Sequence, residues 1–443
     1  MKTQSQIQFR KFDFSKKLDL GMDLLRNVES IVKGIVSKRD ESIRWVFQPY
    51  VDLIDSMIEG AENPENLIFH NFTVSPELIH SMDLMSFSPE ALSFFAPAEY
   101  VAAYRDCSLI EHVPEHMCSF LSTALGMAVS NVMPKPKGIL YASHPCDNGV
   151  ALGQALSEYY RVKAFIIDSP YDDNKKAHEY FAGQIKDLFR YLEEITGKRL
   201  NIDRLRESCK RSDKAHELLY QINELKKNKP CPLASSAILR AISIAMYMMV
   251  DTEDTIHWLE RLLEDVKQRV DKGIGGKCEE KMRIAWIYTL PSFDPAIFEW
   301  MEEKFGATSV IFQGADSFYW PIYKPIRKHD YDYSFDELCL ILANKSLNTP
   351  MARQSRGHLD RFVRDTIHWC KEWDIDAAIF SGHIQCKANW SAAQVAKEAL
   401  MDELGVATLI HEIDCIDPRV VSAEQIVGKM EPFLEMVAEN KGL

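Results

Sequence analysis

Three of the ten cysteines in this 443-residue chain share a local setting that could do chemistry. Cys146 stands in YASHPCDNGV, where an apolar run from Gly138 to Ala142 gives way to a helical pattern beginning near Val150. Cys386, in AIFSGHIQCKANWSAAQVAKEAL, has the same construction: apolar run, short turn with one thiol, helix. Cys118, in HVPEHMCSFLSTALGMAV, heads a third periodic helix through Phe120, Leu121, Leu125 and Ala128. A thiol at a helix N-terminus is expected to have a lowered pKa, which favours the thiolate that metals bind. Two thiolates do not complete a stable soft-metal site. Three could converge on one four-iron cluster and leave one iron open to an exogenous ligand. An open iron binds a carbonyl or hydroxyl oxygen as a Lewis acid and passes one electron.

Other residues near these turns have two readings each. His144 and His383 precede Cys146 and Cys386 by two and three residues, so either could donate a proton to a leaving group; the alternative is a turn histidine bonded to backbone. Cys107, Cys209, Cys231, Cys278, Cys339, Cys370 and Cys415 read as buried, inert thiols. The absence of any CxxC pair removes zinc-finger and ferredoxin spacings as support. GIGGK at 273–277 lacks P-loop spacing and reads as a connector, and Ser75-Pro76-Glu77 reads as a helix cap.

The elements that must position the three thiols follow from hydrophobic periodicity. The first sixty or so residues look helical, with Leu18, Met22, Leu25, Val28, Ile31, Val32 and Ile35 at helical spacing. A strand near Leu67, a turn at Ser75-Pro76 and a helix start with Glu77 in its first turn come next. Strands at Ile139–Ala142 and Lys163–Asp168 alternate with helices, the second helix running to Gly197. Residues 201–271 read as almost wholly helical, including a buried helix in ASSAILRAISIAMYMMV. The alternation resumes with strands at Arg283–Tyr288, Ser309–Gln313, Ala377–Phe380 and Ala407–Glu412. Their helices are Pro295–Phe305, Ser391–Leu404 and Ser422–Ala438, and a long irregular stretch extends to about Asp336. Strand–helix alternation implies parallel sheets with helical crossovers. The expected architecture is α/β: two doubly wound, Rossmann-like parallel-sheet domains at 66–200 and 281–443. A helical N-terminal segment (1–65) and a helical linking segment (201–280) complete it. Both Cys146 and Cys386 would then lie at the carboxyl ends of strands, where open α/β sheets bind ligands.

Composition narrows the function classes. Hydrophobic content of 46% and charged content of 26% are those of an ordinary globular protein. A net charge of -13 without a long basic run argues against nucleic acid as the main partner, but not against a phosphate-bearing one. No membrane span and no apolar signal-peptide core are visible, so the expected location is the cytoplasm, with the cysteines reduced.

At these cysteines the chain resembles the 2-hydroxyacyl-CoA dehydratase family, which also contains the ATP-dependent benzoyl-CoA reductases. The resemblance runs from about His70 to Val437, in order through VSPELIHSMDL, MCSFLSTALG, SHPCDNGVALGQAL, KAFIIDSPYDD, CPLASSAI, EEKMRIAWIY and DIDAAIFSGHIQCKANWSAAQ. HEIDCIDPRVVSAEQIVGKMEPFLEMV closes it and is the most specific match, through Asp417-Pro418-Arg419 and Ser422-Ala423-Glu424-Gln425. The resemblance implies a heterodimer of related subunits, each holding a [4Fe–4S] cluster on three cysteines, here Cys118, Cys146 and Cys386. It further implies an acyl-CoA thioester substrate, an ATP-hydrolysing iron–sulfur activator, and loss of water from a 2-hydroxyacyl-CoA through a ketyl radical. Glu77 occupies the position of an acidic residue in the resembling segment and is a candidate for contact with the active site. Many of the larger subunits follow the last cysteine with a basic residue, Pro, an aromatic and Ser. Here Lys387 is kept, Ala388-Asn389 intervene, and Trp390-Ser391 follow, which bears on substrate identity. The alternatives are a benzoyl-CoA reductase subunit, a non-catalytic iron–sulfur electron-transfer protein of the same superfamily, and a cluster-free α/β protein.

Overall fold

A computed structural model describes residues 7–21, 23–38, 41–235, 249–276, 278–316, 331–357 and 359–443. Among the described residues, eight strands form two four-stranded, all-parallel sheets. The first has the order β2-β1-β3-β4, from β1 (Leu67–His70), β2 (Met85–Phe87), β3 (Gly138–Ala142) and β4 (Ala164–Ile167). The second repeats it as β6-β5-β7-β8, from β5 (Met282–Tyr288), β6 (Ala307–Phe312), β7 (Ala377–His383) and β8 (Ala407–Ile413). In each sheet the chain steps from the first strand to one side and then returns to the other. The order therefore reverses between β1 and β3, and again between β5 and β7. The two doubly wound units expected from the alternation are present.

The strands read as apolar runs because both faces of each sheet are covered. Every residue of β3, β5 and β7 is buried. Successive side chains go to opposite faces: Phe69, Ile139 and Tyr141 join one core, Ile68, Leu140 and Ala142 another. The first of these cores is continuous with the interior of the second sheet, through Trp286, Phe298, Ile379 and Phe380. The second core is roofed by the helix Lys175–Thr196, which Asn174 caps by accepting the Ala177 N–H at 3.0 Å. Against that helix packs Phe335–Asn348 from late in the chain, through Phe189 against Phe335 and Leu338, Leu342 and Ala343 in the shared core.

Several boundaries differ from the sequence reading. β7 continues three residues beyond Phe380, because Ser381, Gly382 and His383 pair in register with His411, Glu412 and Ile413 of β8. The following helix starts at Lys387, not Ser391. β2 and the helices Pro89–Phe95 and Ala98–Ile110 were not legible as separate elements, the first being only three residues long. The expected buried helix in ASSAILRAISIAMYMMV falls mainly on 236–248, and most of the expected irregular stretch on 317–330, both outside the described residues. Among the described residues no helix is long and apolar enough to cross a membrane.

Candidate metal centre

Each of the three cysteines is the N-cap of its helix: Cys118 of Ser119–Val129, Cys146 of Asp147–Tyr160 and Cys386 of Lys387–Leu404. Cys146 lies four residues beyond the end of β3, and Cys386 three beyond the end of β7. These are corresponding strands, each just past the point where strand order reverses, which is where a doubly wound sheet opens a crevice for ligands. The helix after Cys146 lies so close to β3 that a Cβ on Gly153 would sit 2.8 Å from the Tyr141 ring.

The Cys146 turn is held by loops from both neighbouring strands. After β1, Asn71 accepts the Ala142 N–H at 3.1 Å and donates to the His144 carbonyl at 3.0 Å. The Thr73 hydroxyl donates to the same carbonyl at 3.0 Å. After β4, Ser169 donates its N–H to Ser143 Oγ at 2.7 Å and its hydroxyl meets His144 Nδ1. The His144–Pro145 peptide is cis. His144 is buried, and burial lowers its pKa to about 4, so the ring is neutral.

Cys118 reaches this edge through contacts that span most of the chain. The hydroxyl of Ser119, the next residue, donates to Asp414 at 2.8 Å, and Asp414 also accepts the N–H groups of Ile416 and Asp417 at 3.0 Å. Arg105, on the helix packed against that of Cys118, bonds Asp417 at 2.9 Å. Arg419 binds Asp417 at 2.8 Å and Asp106 at 3.0 Å. The two helices touch so closely that a Cβ on Gly126 would overlap the Tyr104 carbonyl oxygen, at 1.7 Å. Asp414, Asp417 and Arg419, from the stretch DCIDPR after β8, thus dock the first cysteine's helix onto the second sheet. His383, the last residue of β7, completes the contact. Its Nδ1 accepts the Cys415 N–H at 3.3 Å, and its Nε2 lies 3.3 Å from Cys118 Sγ.

The sulfurs are near enough to feel one another. Burial is the main force raising all three thiols, and neighbouring sulfurs add to it: Cys146 and Cys386 both raise Cys118, and Cys386 raises Cys146. Cys118 is pushed well above its ordinary range and Cys146 to about 11. The lowered pKa expected from the helix N-termini is therefore overturned. The N–H groups of Asn148 and Gly149 at Cys146, and of Ala388 and Asn389 at Cys386, do act downward, but desolvation outweighs them. Buried thiols that resist ionisation alone are suited to a cation that takes their protons' place. Among the described residues no group of three or more His, Cys, Asp or Glu is set closely enough for a single metal ion.

The buried carboxylate of Glu77 makes its own contact with Lys345, which also bonds Ser212. Sequence reasoning missed two acids that do reach the thiols. Asp414 is one. Glu90, 3% exposed, is the other: it accepts the Phe72 N–H at 3.2 Å and acts electrostatically on both Cys146 and Tyr141. Burial raises its pKa to about 8, so it holds a proton at neutral pH. In the sequence it looks like an acid in the first turn of a capped helix, and only burial distinguishes it. Cys415, read as inert, is buried but close enough to Cys386 to be raised by it.

One of the subunits of the benzoyl-CoA reductase of Thauera aromatica is 20% identical over 346 residues, 74% of this chain and 78% of its own length. The alpha subunit of (R)-2-hydroxyglutaryl-CoA dehydratase of Acidaminococcus fermentans is 20% identical over 316 residues, 70% of this chain and 62% of its own. The alpha subunit of (R)-phenyllactyl-CoA dehydratase of Clostridium sporogenes is 22% identical over 326 residues, 72% and 74%. A family model matches residues 71–437, a span that begins at Asn71, the residue bracing the Cys146 turn, and passes through all three thiols to the last helix. The chain therefore belongs to the family described as 2-hydroxyglutaryl-CoA dehydratase, D-component.

Proposed function

We propose that this chain is a subunit of a 2-hydroxyacyl-CoA dehydratase, holding a [4Fe–4S] cluster on Cys118, Cys146 and Cys386. Its reaction is elimination of water from a 2-hydroxyacyl-CoA, carried out with a related second subunit and an ATP-hydrolysing activator that supplies the electron. The observation that supports this reading is that three helix-capping cysteines, two of them just past the carboxyl ends of β3 and β7, lie near enough to act on one another. The donor set fits in kind: three soft thiol ligands, each near enough to raise or be raised by another, suit an iron–sulfur cluster. When bound, such a cluster supplies a low-potential electron and a Lewis-acidic iron.

The chain's own groups have defined tasks beside it. The N–H groups of Asn148, Gly149, Ala388 and Asn389 face the sulfurs of Cys146 and Cys386 and offset their charge. Glu90 holds a proton at its carboxyl, near enough to Cys146 to act on it electrostatically, and is the group that can deliver that proton to a departing hydroxyl. His144 is neutral and braced, so it fixes the turn. A second reading, as part of a benzoyl-CoA reductase, is favoured by the match to the Thauera aromatica protein over 74% of this chain.

Iron analysis of the chain purified without oxygen tests the site. About four irons per chain are expected, with most lost in Cys146→Ala; full iron in that variant refutes the assignment. Turnover by the assembled complex then separates the readings. Activity on benzoyl-CoA and none on 2-hydroxyacyl-CoA esters would replace the first with the second.

A further inference from the structure

We infer that His383 is a permanent hydrogen-bond donor to the sulfur of Cys118 and, through that sulfur, makes the site's cluster easier to reduce. The inference rests on the proposed reading that Cys118 is a cluster ligand. Its geometry is independent of that reading.

A backbone N–H can only donate, so the Cys415 N–H at 3.3 Å requires a bare Nδ1 on His383. The imidazole proton must then sit on Nε2, which is 3.3 Å from Cys118 Sγ. The ring is 2% exposed, so water does not compete for that proton, and the Phe120 ring lies 6.0 Å away. Both ends of the contact are tied to one carboxylate. Ser119, directly after Cys118, donates to Asp414, and Asp414 directly precedes Cys415. The His383–Cys118 distance is thus fixed by the same docking that brings the two sheets' edges together.

The consequence for charge follows directly. A donor to a thiolate draws electron density from it and stabilises the more negative, reduced state of whatever that thiolate holds. Nδ1 is capped by an N–H and Nε2 is engaged with sulfur, so both ring nitrogens are occupied. His383 is a positioning residue, and the sequence-level expectation of a proton donor to substrate is replaced by this role.

Two substitutions separate the two ring nitrogens. His383→Asn keeps an acceptor for the Cys415 N–H and loses reach to the sulfur; His383→Gln restores an N–H near the position of Nε2. Iron content and midpoint potential are measured on the anaerobic full-length chain by dye-mediated titration followed by electron paramagnetic resonance. The expected result is iron close to parental in both variants. At a fixed solution potential, the ratio of reduced to oxidised cluster should fall about tenfold in His383→Asn, which for one electron is about 59 mV. His383→Gln should lie between it and the parent. Parental potentials in an iron-replete His383→Asn variant overturn the inference. If that variant loses iron or does not fold, pulsed resonance on the parent grown with 15N-histidine decides instead. A histidine nitrogen coupled to the reduced cluster supports the bond, and no coupling overturns it. A parent chain that binds no iron refutes the cluster reading itself, a result distinguishable from an iron-replete chain with an unmoved potential.

Discussion

Replacing Glu90 by Gln removes an ionisable group while leaving size and shape nearly unchanged, and the amide oxygen can still accept the Phe72 N–H. In the folded chain the carboxyl titrates near 8, against an ordinary value of 4.5, because burial opposes its ionisation. Between those two pH values the folded state keeps a proton that the unfolded chain has released. Stability supplied by that proton is therefore complete below about pH 4.5 and is lost as pH rises towards 8. At about 1.4 kcal/mol per pH unit, the loss is about 3 kcal/mol by pH 7 and approaches 5 kcal/mol by pH 9. Glu90→Gln has no proton to lose. Urea denaturation of parent and variant at pH 5, 7 and 9, followed by tryptophan fluorescence, isolates the effect, since other titrating groups cancel in the difference. The variant should gain about 4 kcal/mol on the parent between pH 5 and 9. Above about pH 8, where the parent's Glu90 is ionised, Cys146 should also alkylate faster in the variant, because the Glu90 charge raises that thiol. Stability curves that stay parallel across this range would refute the buried, protonated carboxyl and with it the proton-delivery role.

Other substitutions probe the positioning of the site. Arg105→Ala leaves Asp417 and Asp414 buried without that cation; a loss of about 3–5 kcal/mol in urea denaturation is expected, with reduced iron retention as the Cys118 helix loosens. Gly126→Ala forces a methyl into the Tyr104 carbonyl, and thermal unfolding should register a loss of about 3 kcal/mol or more. Glu77→Gln strands the Lys345 ammonium in the core, so stability should fall by about 3–5 kcal/mol, while iron content per folded chain stays parental. A Glu77→Gln chain of parental stability that has lost turnover would instead support Glu77 as an active-site contact.

Much of the architecture was written locally. β3 and β5 are apolar runs because both faces of each sheet are covered, and any such run bounded by turn residues announces itself. The two cysteine turns were visible for the same reason: strand, turn and helix succeed one another within a few residues. In the sequence β7 reads as ending at Phe380, because Ser-Gly-His breaks the apolar run. Those three residues are strand only because β8 offers partners for their backbone. Glu90 had no local signature, since an acid after Ser-Pro is what an exposed helix start also carries.

The sequence by itself determined that three thiols each begin a helix, and a resemblance spanning most of the chain pointed to the family. Only the tertiary structure decided that these helix starts lie near enough to act on one another. That proximity depends on pairs 265 to 313 residues apart, His383 with Cys118, Ser119 with Asp414, and Arg419 with Asp106. The thiols' protonation was likewise decided by the fold. A helix N-terminus acts on its own cap over one turn, whereas desolvation comes from every element that closes over the site, and here the second effect is larger.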